Sequence, residues 1–410
     1  MIDPTKQYWL YIYSHVYVVQ KTNKILLYNV QNAIYIETEN SQFQALIKEV
    51  HEKNNLGVVI LKSVYRNDIY CNDLIKEAIE KQIVGLIEIE KEKNKPIVLL
   101  PILNLQRDID KLAGDNAALI GDKILSYLTE INLVINNKCD LECHHCNSYY
   151  KQTKFCTKNA KQSVLMPNII ESVLQQALHA SIIKINISGG DINYYPYWNE
   201  LKPILDKYNY EYHFFIHYRN FSEVLLPNLI NQKFEILVNF PIDKEMLLKQ
   251  IRNSYSNYTT YHFLIEDEIQ YELIDKLIEE YQISNFKITP FFTGSNYEFF
   301  KSNIFLDKED ILSEPIIYRK IFCNQKLNSN YFGKLNIFPD GDTKANVNKE
   351  SIGYIQEKPL LEIIYDELIQ NTAWRQIRNS EPCNNCLYQF LCPPMSNYEI
   401  VMNRSNFCSI

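Results

Sequence analysis

The stretch INLVINNKCDLECHHCNSYY, residues 131–150, joins an apolar run to a loop with three cysteines and two histidines. The run INLVIN is rich in Ile and Val, which is typical of a buried strand. Cys139, Cys143 and Cys146 therefore lie just past the end of a strand. These thiols form either a closed structural metal site or a site with one position open for chemistry, and the function depends on which.

The composition of the whole chain limits the class of protein. Its 410 residues are enough for two or three domains, and 46% hydrophobic with 22% charged residues is typical of a globular protein. The net charge of -7 gives no basic signal, so we expect no nucleic-acid partner. Without a signal-peptide pattern or an apolar run of about 18 residues, a cytoplasmic protein with no membrane span is expected. In that compartment ten cysteines favour metal binding or catalysis over disulfides.

Residues 125–305 alternate between strand and helix patterns. Strands are predicted at 131–136, 182–188, 212–217, 234–240, 259–265 and 285–292. Helices are predicted at 168–180, 197–208, 222–232, 244–255 and 271–282. Six strands with helical crossovers predict an α/β fold with a parallel sheet, curled as a partial (β/α)6 TIM-type barrel. Ligands of such barrels bind at the carboxyl ends of the strands, where the three cysteines follow.

The two flanks differ from this central pattern. Residues 1–105 begin with strand-like runs, continue with a helix whose N-cap is predicted at Ser41, and close with a strand, which predicts an α+β winged-helix-like domain. Residues 310–410 show a hairpin at 333–347, a helix at 359–377 and a cysteine-rich tail. We expect a small C-terminal domain that needs a metal, because its own core is thin.

Spacing alone leaves two interpretations of the three-cysteine loop. A structural zinc site needs a fourth ligand, which His144 or His145 would supply. Both histidines are wedged between two cysteines, where the backbone hinders their approach to the same ion. A four-iron cluster held by three thiolates leaves one iron open to a small molecule. The spacing favours the iron–sulfur interpretation.

A second element, NISGGDI at residues 186–192, ends the second predicted strand with Ser188, Gly189, Gly190 and Asp191. A plain strand-to-helix turn is the simpler interpretation. The chain has only ten glycines, however, and this pair lies at the same rim as the cysteines. A backbone without Cβ lets the polar end of a ligand approach closely. The pair therefore indicates a ligand-binding turn.

Together, the Cys-x3-Cys-x2-Cys loop after the first strand and the Gly-Gly-acid motif after the second resemble the radical S-adenosylmethionine (SAM) superfamily, over roughly residues 130–300. The resemblance implies that Cys139, Cys143 and Cys146 hold a [4Fe-4S] cluster whose open iron is chelated by SAM. It implies that Gly189, Gly190 and Asp191 receive the methionine amino group. Reduction of the cluster would then cleave SAM to a 5′-deoxyadenosyl radical that abstracts hydrogen from a substrate.

This chain departs from the family pattern at two places, and a third position, Asn239, has two interpretations. His145 stands where relatives usually carry an aromatic residue, and Asp191-Ile192 replaces the usual Glu-Pro. Asn239 falls where relatives often direct a Ser or Asn toward the SAM ribose, although a strand Asn is also explained as a satisfied buried amide.

The C-terminal cysteines resemble the SPASM (or twitch) domain of radical SAM peptide maturases. The alternative is a zinc ribbon, which four cysteines also satisfy. The resemblance implies one auxiliary [4Fe-4S] cluster, with ligands Cys383, Cys386, Cys392 and Cys408. A second auxiliary cluster is expected to be lost, because Asn346 replaces one of its cysteines and Cys323 is at most a remnant of that set.

The N-terminal domain resembles the PqqD-like peptide-recognition element of ribosomal-peptide maturases, with a generic structural cap as the alternative. The resemblance implies that a precursor peptide binds through its leader as an added strand. A reductant such as flavodoxin or ferredoxin is also expected.

The sequence thus predicts a radical SAM maturase that crosslinks or oxidises a precursor peptide. An inactive pseudo-radical-SAM partner that only presents the peptide is the alternative, and a zinc-stapled protein is a third possibility. Cys71 and Cys156 are interpreted as ordinary thiols, with a substrate-facing role as the alternative for Cys156.

Overall fold

The computed structural model describes residues 3, 5–99, 101, 124–157, 162–221, 232–253 and 258–410. The strands are β1 Tyr8–Ile12, β2 Val16–Lys21, β3 Lys24–Asn29, β4 Tyr35–Thr38, β5 Val58–Ile60, β6 Val84–Glu88, β7 Glu130–Asn136, β8 Lys184–Gly189, β9 Tyr212–His217, β10 Lys233–Val238, β11 Thr259–Ile265, β12 Phe286–Pro290, β13 Lys334–Ile337, β14 Asp342–Lys344 and β15 Gly353–Tyr354.

The α-helices of the described residues, numbered in chain order, are α1 Ser41–His51, α2 Ser63–Asn67, α3 Ile69–Glu80, α4 Cys146–Gln152, α5 Pro167–Gln176, α6 Trp198–Lys207, α7 Lys244–Asn253, α8 Glu268–Tyr281, α9 Tyr297–Asn303, α10 Lys308–Leu312, α11 Tyr318–Asn324, α12 Leu360–Gln370 and α13 Asn397–Val401.

A large, mostly parallel sheet forms the centre of the molecule. Its nine strands have the order β12-β11-β10-β9-β8-β7-β13-β14-β15. The six strands from β7 to β12 are parallel and follow one another in chain order, so all six predicted strands are confirmed. The chain is therefore a mixed α/β protein with a parallel-rich sheet. The predicted helix at 222–232 lies almost wholly outside the described residues, as does the boundary between 105 and 125.

The two faces of β7 explain how this sheet positions a site. Ile131, Leu133 and Ile135 point into the main hydrophobic core, which α5 and α6 cover. Asn132 and Asn136 alternate with them and line the opposite face, where they are buried as well. Side chains two residues apart share a face of a strand, so one face of this sheet is apolar and the other is unusually polar.

The N-terminal part contains two three-stranded antiparallel sheets, β5-β1-β6 and β2-β3-β4, with the three helices α1 to α3. Phe43, Leu46 and Val50 of α1 are buried, as the helical pattern predicts. The predicted N-cap at Ser41 is wrong. The cap is Asn40, whose Oδ1 accepts a hydrogen bond from the Phe43 amide at 2.7 Å, so Ser41 becomes the first helical residue.

The C-terminal part contributes to the central sheet and also packs on the N-terminal part. The predicted hairpin is confirmed as β13 and β14, with Gly341 in the left-handed region at φ 86° in its turn. β13 pairs in parallel with β7, and Trp374 is fully buried in the main core. A separate apolar cluster joins Leu26 and Tyr28 of β3 to residues of the C-terminal part. Within the described residues, no helix has the length and apolar character needed to cross a bilayer.

Candidate functional site

The three-cysteine loop lies at the carboxyl end of β7, where the strand pattern predicted it. β7 ends at Asn136, and α4 begins at Cys146. The Asn220 side-chain amide donates to Cys139 Sγ at 3.7 Å, and His217 Nε2 lies 3.9 Å from Cys143 Sγ. Burial raises the pKa of the Cys139 thiol and, helped by the neighbouring cysteines, raises that of Cys143 to about 12. Without a bound cation these thiols stay neutral, so a cationic group would be needed to hold them as thiolates.

Gly189 and Gly190 bring the end of β8 directly against this loop. The Gly190 amide donates to the Asn136 carbonyl at 3.1 Å, and the Asp191 amide donates to the Lys138 carbonyl at 2.6 Å. A Cβ on Gly190 would lie 2.3 Å from the Lys138 carbonyl oxygen, and one on Gly189 would lie 2.8 Å from that of Asn136. The close approach that these glycines permit is therefore to the backbone of the cysteine loop.

The polar side chains beside the glycines already have partners within the chain. Ser188 Oγ donates to Asn132 Oδ1 at 3.0 Å across the sheet. The Asp191 carboxylate caps a 3-10 turn at Ile192–Tyr194, because it accepts hydrogen bonds from both the backbone amide and the side chain of Asn193. Burial raises the pKa of Asp191, although the bonds from Asn193 oppose this rise.

His145 packs as an aromatic residue. Its ring centroid lies 5.3 Å from that of Phe291 and 6.3 Å from that of Tyr149. Its Nε2 lies 3.5 Å from Glu266 Oε1. The imidazole thus packs as a ring among aromatic side chains, at the position where the family resemblance led us to expect an aromatic residue. His144 is exposed and contacts the His145 ring at 4.4 Å.

Asn239 joins a buried hydrogen-bond chain that reaches the cysteine loop. The Arg219 amide donates to His217 Nδ1 at 3.1 Å, so Nε2 of a neutral His217 carries the proton that it donates to Asn239 Oδ1 at 2.6 Å. Asn239 Nδ2 then donates to the Tyr149 hydroxyl at 2.7 Å. Burial lowers the pKa of His217 to about 4, which keeps the ring neutral. Asn239 is thus a satisfied buried amide.

The sequence reasoning missed His217 as a member of this rim and interpreted Cys156 as an ordinary thiol, with a substrate-facing role as the alternative. His217 is the last residue of β9 and is 3% exposed, and a polar residue at the carboxyl end of a buried strand is the signal that marks it. Cys156 lies in an apolar cluster with Cys143, Tyr149 and Phe291. Burial and then the three loop cysteines raise the pKa of Cys156 well above its ordinary value. A fourth thiol therefore lies close to the loop.

The four C-terminal cysteines surround one cavity. Cys383, Cys386, Cys392 and Cys408 line a space of about 240 Å³ together with Arg378. Arg378 is buried and pairs with Glu399 at 2.5 Å. Burial raises the pKa of Cys383, while the Arg378 guanidinium opposes that rise and so favours the thiolate. Cys323 lies in α11, and Asn346 donates to Asn397 Oδ1 at 2.8 Å.

All ten cysteines are free thiols. Within the part of the chain that the structure describes, no three Cys, His, Asp or Glu side chains converge closely enough to ligate a single metal ion. A tetrahedral zinc site requires four ligand atoms about 2.0–2.3 Å from one point. A four-iron cluster is larger, so its thiolates need to surround a volume instead of meeting at a point.

A groove runs along the free edge of β4. It has a volume of about 900 Å³ and is lined by β4 and the facing side of α3, with Lys308 at one end. The Ile34 carbonyl accepts from Asn29 of β3, so the main-chain groups of Tyr35 and Glu37 face the groove by the alternation of an antiparallel pair. Lys81 Nζ donates to the Tyr35 carbonyl at 3.1 Å.

No protein-family model and no curated protein matches this chain. The structure is similar to that of SuiB from Streptococcus suis bound to precursor peptide SuiA, with a TM-score of 0.48, 14% identity, and coverage of 98% of this chain and 99% of that chain. For SuiB bound to S-adenosylmethionine the TM-score is 0.43 at 13% identity, covering 97% and 98%. It is also similar to anSMEcpe with bound AdoMet and Kp18Cys peptide, with a TM-score of 0.44, 13% identity, and coverage of 64% and 88%. All three TM-scores are below 0.5 and all three identities are below 25%, so we infer the function of this chain from its own residues.

Proposed function

We propose that this chain is a radical SAM enzyme that modifies a ribosomally made precursor peptide. One observation carries the proposal. The loop with Cys139, Cys143 and Cys146 lies at the carboxyl end of a parallel strand, and Gly190 and Asp191 bind its backbone from the next strand. Three thiols in one loop at that edge are the donor set of a cluster with an open iron.

The residues around the loop fit such a cluster. Three thiols in one loop are soft donors of the kind that hold iron–sulfur clusters. When bound, a [4Fe-4S] cluster with SAM supplies the reducing electron that cleaves SAM and so yields the hydrogen-abstracting radical. The chain's own part is to hold the three sulfurs, to keep His217 neutral beside Cys143, and to exclude water with the rings of Phe291 and Tyr149.

In this proposal the six parallel strands β7–β12 form the partial (β/α)6 barrel of residues 125–305. The connections between successive parallel strands are expected to be right-handed, and the twist between neighbouring strands curls such a sheet toward a barrel. SAM then binds against the rim formed by Ser188, Gly189, Gly190 and Asp191, with His145 and Asn239 nearby. Ser188, Asp191 Oδ1 and Asn239 already make hydrogen bonds within the chain, so SAM would have to share or displace these bonds to contact them.

The C-terminal cavity supports one auxiliary [4Fe-4S] cluster in residues 310–410. Four cysteines line it, and the buried Arg378 offsets part of the negative charge that four thiolates bring. Asn346, which stands in place of an expected ligand, is hydrogen-bonded to another asparagine, and this supports two clusters per chain rather than three.

The β4 edge supports leader binding by the PqqD-like domain of residues 1–105. Main-chain groups of Tyr35 and Glu37 face an open groove, and an extended peptide would add a strand there. Such a strand would displace Lys81 Nζ from the Tyr35 carbonyl. The electron for SAM cleavage would come from a reductant such as flavodoxin or ferredoxin.

One anaerobic experiment tests the proposal. The full chain is reconstituted with iron and sulfide, its iron and zinc are counted, and reductant, SAM and candidate peptide are added. About eight iron atoms per chain and release of 5′-deoxyadenosine are expected. Cys143→Ala should abolish the release, whereas the matched control Cys323→Ala should retain it.

The other outcomes separate the alternatives. Iron without SAM cleavage, even with the cognate peptide present, would favour the inactive peptide-presenting partner. Zinc without iron would refute both radical SAM interpretations.

A further inference from the structure

A row of charged side chains crosses the far end of the central sheet, away from the cysteines. The strand register places Lys334 of β13, Glu130 of β7 and Lys184 of β8 side by side. Lys154, in the segment after α4, reaches the same row and binds Glu130. Lys184 Nζ lies 3.9 Å from Glu130 Oε2. Two lysines therefore share the Glu130 carboxylate, and Lys334 lies beside it in the strand register.

The row borders a cavity of about 170 Å³. Lys154, Lys334 and Glu130 line it, and the amides of Asn132, Asn336 and Asn330 lie in its wall. Asn132 Nδ2 donates to Asn336 Oδ1 at 3.2 Å, and this hydrogen bond fixes the two amides in the cavity wall. The side-chain amides of Asn336 and Asn330 donate to main-chain carbonyls outside the cavity lining. The cavity thus offers the positive charge of its lysines, within a polar wall, in a space of side-chain size.

The protein balances the positive charge of this cavity only in part. Besides Glu130, the Glu235 carboxylate lies near Lys154, but so does the Lys287 ammonium. Across the residues that the structure describes, Lys334 has no carboxylate within ion-pair distance, and Glu130 alone serves Lys154 and Lys184. Burial lowers the pKa of Lys154 to about 7, and burial followed by the charge of Lys184 lowers that of Lys334. Half-buried like charges are costly, and an anion that enters the cavity would relieve the cost.

We propose that this cavity binds a carboxylate of the peptide substrate, from either an acidic side chain or the peptide C-terminus. The proposal rests on the proposed peptide-modifying function for the nature of the ligand. Amide groups beside the lysines suit the main chain that flanks a peptide carboxylate. Asn136 lies six residues along β7 from Glu130, roughly 20 Å at the rise of a strand. The recognised carboxylate is therefore expected about six extended residues from the residue that reacts at the cysteine loop.

Titration calorimetry with the full chain and three small probes tests the site. N-acetyl-glutamate α-amide carries a side-chain carboxylate, N-acetylglycine carries a terminal one, and N-acetyl-glutamine α-amide is the neutral control. We expect at least one acid probe to bind tenfold or more tightly than the neutral probe, and the better acid identifies the source of the carboxylate. Equal binding of all three probes would refute the proposal.

Variants of Lys334 connect the binding to this cavity. Lys334→Met and Lys334→Gln should both abolish the preference for the acid, and neither removes an ion pair that the fold uses. The control Lys320→Met changes an exposed lysine and should keep the preference. Retention of acid binding in both Lys334 variants would overturn the assignment. These measurements need no SAM cleavage, so a chain that binds the acid probe yet modifies no peptide keeps this site and loses only the proposed function.

Discussion

The substitution Gly190→Ala tests whether the glycine pair serves close packing against the cysteine loop or the binding of a ligand. The new Cβ would lie 2.3 Å from the Lys138 carbonyl oxygen and 2.7 Å from its carbonyl carbon. Both atoms belong to the backbone, so no rotamer change relieves the overlap, and the cysteine loop must move. This movement stretches the bonds from the Gly190 and Asp191 amides to the loop.

The magnitude follows from these contacts. Overpacking a tight site costs about 1–3 kcal/mol, and each of the two backbone hydrogen bonds contributes about 0.5–1.5 kcal/mol. We therefore expect Gly190→Ala to lower the free energy of unfolding by about 2–6 kcal/mol. The amount of iron bound after reconstitution should fall as well, because the three thiols are displaced together.

The assay measures urea unfolding and iron content of the variant beside a matched control. Gly294→Ala is the control, since no atom lies within 4 Å of the added Cβ although φ is 91°. It should lose about 1–2 kcal/mol of stability through backbone strain, with normal iron content. If Gly190→Ala is as stable as wild type and binds full iron but no longer binds SAM, the glycine serves the ligand, and the packing explanation is wrong.

Three further substitutions have defined outcomes. Asn239→Ala removes the hydrogen-bond partner of His217 Nε2 and of the Tyr149 hydroxyl. Urea unfolding should show a loss of stability of about 1–3 kcal/mol per unpaired group. Unchanged stability would contradict the interpretation of Asn239 as a buried structural amide. Burial opposes ionisation of Glu235, but its hydrogen bonds from His213 and His262 outweigh this and hold its pKa well below the ordinary value. Glu235→Gln should therefore cost about 1.5–3 kcal/mol near pH 7. Because the pKa of Glu235 is lowered in the folded state, the difference from wild type should shrink progressively as the pH falls below about 4.5 toward the folded pKa, and a difference that is the same at pH 3 as at pH 7 would argue against this role. Cys386→Ala should halve the bound iron by colorimetric assay, and unchanged iron would exclude an auxiliary cluster at that cavity.

The local pattern of apolar and polar residues was sufficient to predict the parallel strands of the central sheet. The runs at 212–217 and 259–265 coincide with β9 and β11, because continuous β-branched and aromatic residues between polar turns specify strands without reference to partners. The error at Ser41 has a local cause too. Asn40 and Ser41 are both good caps, and the choice between them depends on which oxygen reaches the Phe43 amide.

The sequence patterns did not predict which strands and loops that are distant in sequence contact each other. The hairpin of β13 and β14 was predicted, but its pairing with β7 was not, because a strand pattern does not specify which edge it joins. The spacing of the three cysteines predicted a shared site. The positions of His217 and Cys156 next to Cys143 were not predicted, because they depend on how β9 and the segment after α4 meet the loop. The contact of Gly190 with Lys138 likewise exists only in the folded chain.

The pairing of β13 with β7 has a consequence for synthesis of the protein. Asn132 and Asn336, which meet across this pair, are 204 residues apart. While the ribosome is still making residues 137–333, one edge of β7 stays open, and parallel pairing over such a separation forms slowly. An unpaired strand edge invites pairing with another chain. A fragment that stops near residue 310 would therefore be prone to aggregate through the strand that leads to Cys139, so shortened forms of this protein are poor material for studying its cysteine loop.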